Sequence, residues 1–207
     1  MFSMTQLIHR AAQIRGNGLA TVDGERRQTW LEFEQKIGRF AGGLRELGVG
    51  DDDCVAMLAL NSDRYFEFMF ATPWAGAVFQ PINTRLAGPE VLYWLNDSCA
   101  KVLIIDSNFV DLIQQIQGEL AHVEHIVFID DGDTPDNCIS YASLISAEPI
   151  QDARRSNDDV AGLFYTGGTT GRSKGVMLSH QNLVINTLQS IAPLDCQDGD
   201  RILHVAP

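Results

Sequence analysis

Basic residues are scarce: 15 Lys and Arg face 27 Asp and Glu in 207 residues, a formal charge of −12. A nucleic-acid reader needs a basic face to displace counterions from phosphates. The sequence offers none, which argues against DNA or RNA as a partner, and the same deficit disfavours an anionic membrane surface. Cysteine is also sparse. Cys54, Cys99, Cys138 and Cys196 are scattered with no C-x-x-C pair, so neither a zinc site nor a thioredoxin-like motif is suggested. They read as buried, reduced thiols of a cytoplasmic protein. Residues 1–6 lack the basic segment and apolar run of a signal peptide. The most apolar stretch, residues 66–82, is interrupted by Glu67, Pro73 and Gln80, too broken to span a bilayer. There is no internal repeat and no low-complexity segment. What remains, 45% hydrophobic and 20% charged, is the balance of a folded chain that buries a sizeable core.

Helix-like and strand-like segments alternate along that chain. Thr29 is placed to cap a helix carrying Phe33, Ile37, Phe40, Ala41, Leu44 and Leu47, and Gly48 stands at its left-handed stop. Asp51, Asp52 and Asp53 turn the chain into an apolar run, 54–60, suited to a strand buried on both faces. Asn61, Ser62 and Asp63 start the next helix, with Tyr65, Phe66, Met69 and Phe70 on one face and Pro73 kinking or ending it. Further strands are expected at 77–79, 101–106, 125–129, 160–165, 176–179 and 201–206. Helices are expected at 89–96, 108–117, 141–145 and 181–192, with an acidic surface loop at 130–137. This order predicts an α/β fold with a mostly parallel sheet flanked by helices. The expected organisation is an α/β unit at 1–147, a polar linker at 148–157, and a glycine-loop unit at 158–207. The chain stops at Pro207 directly after an apolar run, so the expectation is that it has been cut from a longer protein. Apolar surface exposed in that way could pair two copies.

The chemistry-bearing segment runs from Phe164 to Val176. Gly167, Gly168, Gly171 and Gly175 let the backbone take conformations closed to other residues and approach a ligand closely. Successive N–H groups can then form an anion nest, to which Thr166, Thr169 and Thr170 add hydroxyl donors and Lys174 a point charge. Between Thr166 and Ser179 there are two cationic residues, Arg172 and Lys174, and no acidic one. The NTPase pattern G-x-x-x-x-G-K-[ST] fails, because Ser173 precedes Lys174 and Gly175 follows it. The dinucleotide pattern G-x-G-x-x-G fails too.

The segment resembles the signature loop of the adenylate-forming enzymes, roughly [YF]-T-[SG]-G-T-T-G-x-[PS]-K-G-V, unbroken from Tyr165 to Val176. Ser173 replaces the commoner Pro. That family includes acyl-CoA synthetases, luciferases and peptide-synthetase adenylation domains. Weaker likenesses keep the same order: Thr29 to Phe33 with Ala41-Gly42-Gly43-Leu44, Val55-Ala56-Met57-Leu58 with Asn61 and Tyr65, Trp74 to Asn83, and Ser179-His180-Gln181-Asn182-Leu183.

The resemblance implies an ATP-dependent acid–CoA ligase, with fatty or medium-chain acids the leading class of substrate. A carboxylate attacks the α-phosphate of ATP to give an acyl-adenylate and pyrophosphate, and the thiol of coenzyme A then displaces AMP. An anion must approach a polyanion, so catalysis rests on positioning and on stabilising the β- and γ-phosphates. Thr166, Gly167, Gly168, Thr169, Thr170, Gly171 and Lys174 would bind them, Lys174 as the main charge, with Mg²⁺ sharing the load. The family's aromatic-Gly-x-Thr-Glu segment, ribose-binding Asp, hinge, and C-terminal domain with its catalytic Lys do not occur in these residues, so the fragment alone is expected to be inactive. A non-catalytic nucleotide-binding module, and an adenylation enzyme with another acyl acceptor, remain open alternatives.

Other clusters read more plainly. His122, Glu124 and His125 suit a solvated turn better than a metal pair. Asp130, Asp131, Asp133 and Asp136 lack the closing Glu of a calcium loop. His180 suits either a phosphate contact or a helix start. Lys174→Ala in the complete enzyme should lower the adenylation rate at unchanged soluble yield; an unchanged rate would remove that role.

Overall fold

The computed structural model describes residues 2–167, 172–197 and 199–205. Two elements precede the region in which the sequence predicted structure. Helix α1 (Met4–Arg15) buries Met4, Ile8 and Ala12, four residues apart on one face. A hairpin follows, β1 (Leu19–Asp23) and β2 (Arg26–Thr29), turning at Gly24 with φ +56°. Gly24-Glu25, a two-residue loop with Gly first, is the turn signal that sequence reading passed over.

Helix α2 (Trp30–Glu46) starts where expected. Thr29 Oγ1 accepts the Glu32 N–H at 3.3 Å, and Glu32 Oε2 accepts the Thr29 N–H at 2.8 Å. Gly48, at φ +80°, takes the chain out of the helix. Strand β3 (Cys54–Leu58) is buried at every residue. Helix α3 (Asp63–Trp74) is capped by Ser62 and holds Pro73 in its last turn. Its deepest side chains are Glu67, Phe68, Ala71 and Thr72, while Tyr65, Phe66 and Met69 are half-buried. The expected one-faced pattern is therefore corrected: α3 packs on the sheet and on α2 at once, so most of its circumference is covered.

Strand β4 (Val78–Pro81), helix α4 (Gly88–Asp97), strand β5 (Val102–Ile105), a 3₁₀ turn into α5 (Val110–Ile116), and β6 (His125–Phe128) follow as two βαβ crossovers. A short β7 (Ile139–Ser140) and α6 (Tyr141–Leu144) complete this part. Then come β8 (Val160–Thr166), β9 (Lys174–Ser179) and α7 (His180–Ile191). The seven strands run in the order β7-β6-β5-β3-β4-β8-β9, parallel throughout except for the antiparallel β8–β9 pair. Alternate residues of β3 divide between two cores. Val55 and Met57 face α1, α2, α3 and α6; Ala56 and Leu58 face α4 and α5.

Two expectations fail here. Residues 201–205 form no strand; Ile202, Leu203 and Val205 are 77–84% exposed, and no described strand pairs with them. An apolar run becomes a strand only where a neighbouring edge receives its backbone groups. Only Cys54 of the four free thiols is buried; Cys99 is exposed, and Cys138 and Cys196 are half-buried.

Residues 144–150 cross α2 at Gly42 and Gly43. A Cβ there would lie 2.2 Å from the carbonyl oxygens of Glu148 and Leu144. Paired mid-helix glycines cost about 1 kcal/mol each, and here they let one backbone lie directly on another. The polar stretch 148–157 then stays against the helices, with Ile150 N–H on Gly38 O (3.1 Å) and Ala153 N–H on Trp74 O (2.9 Å).

One buried polar network ties the hairpin, α2, α3 and α6 together. Glu67, fully buried, accepts the Gln28 amide at 2.8 Å and the Tyr141 hydroxyl, and Lys36 Nζ lies 3.3 Å away. Arg64 donates to the Ile129 carbonyl and to Asp131, so the acidic 130–137 loop supplies a counter-charge as well as a turn. Burial pushes the Glu67 carboxyl above its ordinary 4.5, opposed by Lys36, Tyr141 and Gln28. A raised folded-state pKa contributes stability that is fully present below 4.5 and is lost as pH rises through the folded value. Wild type should therefore lose stability relative to Glu67→Gln across that rise in urea unfolding; parallel curves would contradict it. Glu67→Leu, which strands the Gln28 and Tyr141 donors, should cost about 2–4 kcal/mol at neutral pH.

Candidate functional site

β8 runs parallel to β4, so its carboxyl end lies at the edge where the other parallel strands also end, the edge at which open α/β sheets bind ligands. The glycine-rich loop leaves from that end and returns as β9. Thr166 and Lys174 are register partners, so they close the stem of the loop. Thr166, Gly167 and Lys174 are all exposed, and a Cβ at Gly167 would meet nothing within 4 Å. Gly168, Thr169, Thr170 and Gly171 lie outside the described residues. Lys174 has no ion pair among the described residues, and Arg172 makes only a ring contact, 5.3 Å from the centroid of Tyr93. Two unneutralised cations beside an exposed glycine stem can attract and hold an anion.

Side chains alternate along β8 as a strand dictates. Phe164 meets Phe79 edge-on at 5.6 Å in one core. Tyr165 points into the other, stacked on Trp94 at 4.8 Å with 20° between the rings. Its hydroxyl donates to Asp97 Oδ2 at 2.6 Å, and burial followed by this carboxylate raises its pKa well above the ordinary phenol value. At the far end of the loop, the Tyr93 hydroxyl donates to the Ser173 carbonyl at 3.1 Å. Sequence reading missed these α4 residues. Tyr93, on the helix predicted at 89–96, and Asp97, four residues on and just past its predicted end, were the available signal.

The comparisons with known proteins bear on this geometry. The family model for the AMP-binding enzymes matches residues 8–207. The chain belongs to the AMP-binding enzyme family. It is 38% identical over 185 residues to a long-chain-fatty-acid–CoA ligase of Thermus thermophilus, a match covering 87% of this chain and 34% of that protein. It is 36% identical over 199 residues to a feruloyl-CoA synthase of an Amycolatopsis species, covering 96% of this chain and 38% of that one. Among solved structures, an anthranilate CoA ligase in complex with anthranoyl-AMP superposes with a TM-score of 0.82 at 31% identity, over 87% of this chain and 35% of that one. The chain thus spans about a third of the length of the relatives it matches.

Within this AMP-binding enzyme chain, the segment Ser179 to Leu183 is a helix start. Ser179 Oγ accepts the Asn182 N–H at 3.2 Å, and Asn182 Oδ1 accepts the Ser179 N–H at 3.1 Å. His180 is buried at the first position of α7, its Nδ1 accepting the Met4 N–H at 3.2 Å, which favours packing over phosphate contact. The Mg²⁺ implied by the sequence finds no ligand set here: no group of three or more His, Cys, Asp or Glu converges among the described residues. A cleft of about 740 Å³ lies between α1, α2 and residues 149–154, with His9 held between Glu34 and Asp152. It is on the opposite face of the sheet from α4, and no described residue of the loop lines it.

β8 sits this close to β4 because Gly162 has no side chain. A Cβ there would lie 2.7 Å from Phe79 Cζ and 2.8 Å from Phe164 Cε2. Phe79 is fully buried and has no room to yield. Gly162→Ala should lower stability by about 1–3 kcal/mol; an unchanged thermal midpoint would show that the strand pair absorbs the methyl.

Proposed function

We propose that this chain carries the ATP-phosphate-binding part of an ATP-dependent carboxylate–CoA ligase. The observation that carries the reading is the glycine- and threonine-rich loop closed by the Thr166–Lys174 register pair, with Arg172 and Lys174 unpaired with any carboxylate among the described residues, in a chain of the AMP-binding family. In this reading Thr166, Gly167, Gly168, Thr169, Thr170 and Gly171 supply backbone and hydroxyl donors to the β- and γ-phosphates, and Lys174 supplies charge. A carboxylate oxygen attacks the α-phosphorus and the bond to the β-phosphate oxygen breaks. The developing pyrophosphate charge is what the loop stabilises. The coenzyme A thiolate then attacks the acyl carbonyl and AMP leaves.

Residues 1–147 serve as an α/β platform, 148–157 as the docked connection, and 158–207 as the phosphate-loop unit. Mg²⁺ would arrive with ATP, and no step is assigned to it. Four free thiols suit a reducing compartment, and we place the reaction in the cytoplasm. The similarity to a long-chain ligase supports fatty or medium-chain acids as substrate, with the feruloyl- and anthranilate-activating relatives setting the aromatic rival.

The test is acid-dependent exchange of labelled pyrophosphate into ATP by the protein as it occurs in its source, across fatty and aromatic acids. Exchange with fatty acids is the expected result. Exchange with aromatic acids alone would replace the acid class. ATP binding without exchange on any acid would replace the ligase with a nucleotide-binding module.

A further inference from the structure

A phosphate-binding loop made of glycines has little shape of its own. Glycine loses more conformational freedom on ordering than any other residue, so donors in such a loop converge on an anion only if its ends are held. The ends here belong to a hairpin whose outer strand, β9, is exposed along most of its length. Pairing with β8 fixes one edge of β9 and leaves the other uncovered among the described residues. Something besides the hairpin must set where the loop begins and ends.

The structure assigns that task to helix α4, a deepening of the phosphate-loop reading on which it rests: Tyr93 and Asp97 are positioning residues that grip the two ends of the loop and thereby set its affinity for the polyphosphate of ATP. At the outgoing end, Asp97 accepts the Tyr165 hydroxyl at 2.6 Å while Trp94 stacks on the Tyr165 ring. At the returning end, the Tyr93 hydroxyl donates to the Ser173 carbonyl at 3.1 Å. The Tyr93 ring also carries the Arg172 guanidinium, 5.3 Å from its centroid, so the same residue places a loop cation. Tyr93 reads a backbone carbonyl, so the grip is indifferent to whether residue 173 is Ser or Pro.

The helix that grips is itself held by an otherwise unexplained group. Gln80 is fully buried in β4, where an unpaired amide would be costly. Its Oε1 accepts from Ser98 Oγ at 2.7 Å and from Cys54 Sγ at 3.3 Å, and its Nε2 donates to the Trp94 carbonyl at 3.4 Å. One side chain thus pins the last turn of α4 to the centre of the sheet. The chain of contacts runs from β4 through Gln80 to Trp94 and Ser98, then through Tyr93 and Asp97 to both ends of the loop. All of these residues lie outside the loop to which phosphate binding is assigned, so they position and do not catalyse.

The experiment is calorimetric titration of the protein with inorganic pyrophosphate and with ATP, alongside thermal unfolding. Tyr93→Phe removes one hydroxyl and keeps the ring, and Asp97→Ala removes the acceptor of the other grip. Each should weaken pyrophosphate and ATP binding together, about threefold to tenfold, the worth of one net hydrogen bond. Asp97→Asn, which keeps an acceptor for Tyr165, should recover most of what Asp97→Ala loses, a rescue that a purely structural role does not predict when all three variants melt alike. Should Tyr93→Phe fail to fold, the Asp97 pair, on an exposed carboxylate, decides alone. Wild-type binding unmoved by Tyr93→Phe and Asp97→Ala would overturn the assignment to α4 and leave the phosphate-loop reading standing. No pyrophosphate binding by wild type would overturn that reading and this one with it.

Discussion

The central strands β3 and β5 are buried at every residue, so any polar group that enters their neighbourhood must find its partner within the protein. Two side chains show how that constraint shapes the molecule. Glu67 gathers the hairpin, α2 and α6 onto α3 because its oxygens meet Gln28, Tyr141 and Lys36. Gln80 does the same on the other face, joining β4, Cys54 and the end of α4. Each polar group inside the apolar layers therefore acts as a joint whose geometry is set by hydrogen-bond direction.

The join between the parallel sheet and the β8–β9 hairpin is where this architecture meets chemistry. A parallel sheet brings its strand ends to one edge but does not return the chain there. An antiparallel hairpin brings the chain straight back beside itself and, alone, has little rigidity. Adding the hairpin to β4 combines the two, and Gly162 is the position at which they fit. The loop inherits its location from the sheet and its reach from the hairpin, while α4 lies close enough to touch both ends.

Much of this was legible in the residues. Capping at Thr29, the stop at Gly48, the fully buried run from Cys54 and the parallel crossovers follow from local chemistry and periodicity. The glycine loop stood out because its composition departs so far from the acidic chain around it. Other features were not local and stayed hidden. Residues 201–205 have the composition of a strand and lack a described neighbour to pair with. Gly42 and Gly43 read as a family likeness, and their physical cause, the backbone of residues 144–148, lies a hundred or so positions away. The grip of α4 on the loop joins residues 93 and 97 to residues 173 and 165, and no spacing rule spans that distance. Cys99, in turn, looked like any other thiol, and only tertiary packing decided which cysteine was buried.

The seam at Gly42 and Gly43 also bears on how the chain closes. The carbonyls of residues 144 and 148 lie where two Cβ atoms would stand, so residues 144–150 dock only on a helical α2. The β8–β9 hairpin is fed from this docked segment and pairs with β4 across a long stretch of chain. Such distant pairings carry the loop-closure entropy that slows folding. The β3–β6 crossovers join neighbours in sequence and can form first. Among the described strand pairs, the one that carries the ligand loop therefore closes the longest stretch of chain, Phe79 to Gly162, and bears the largest closure entropy.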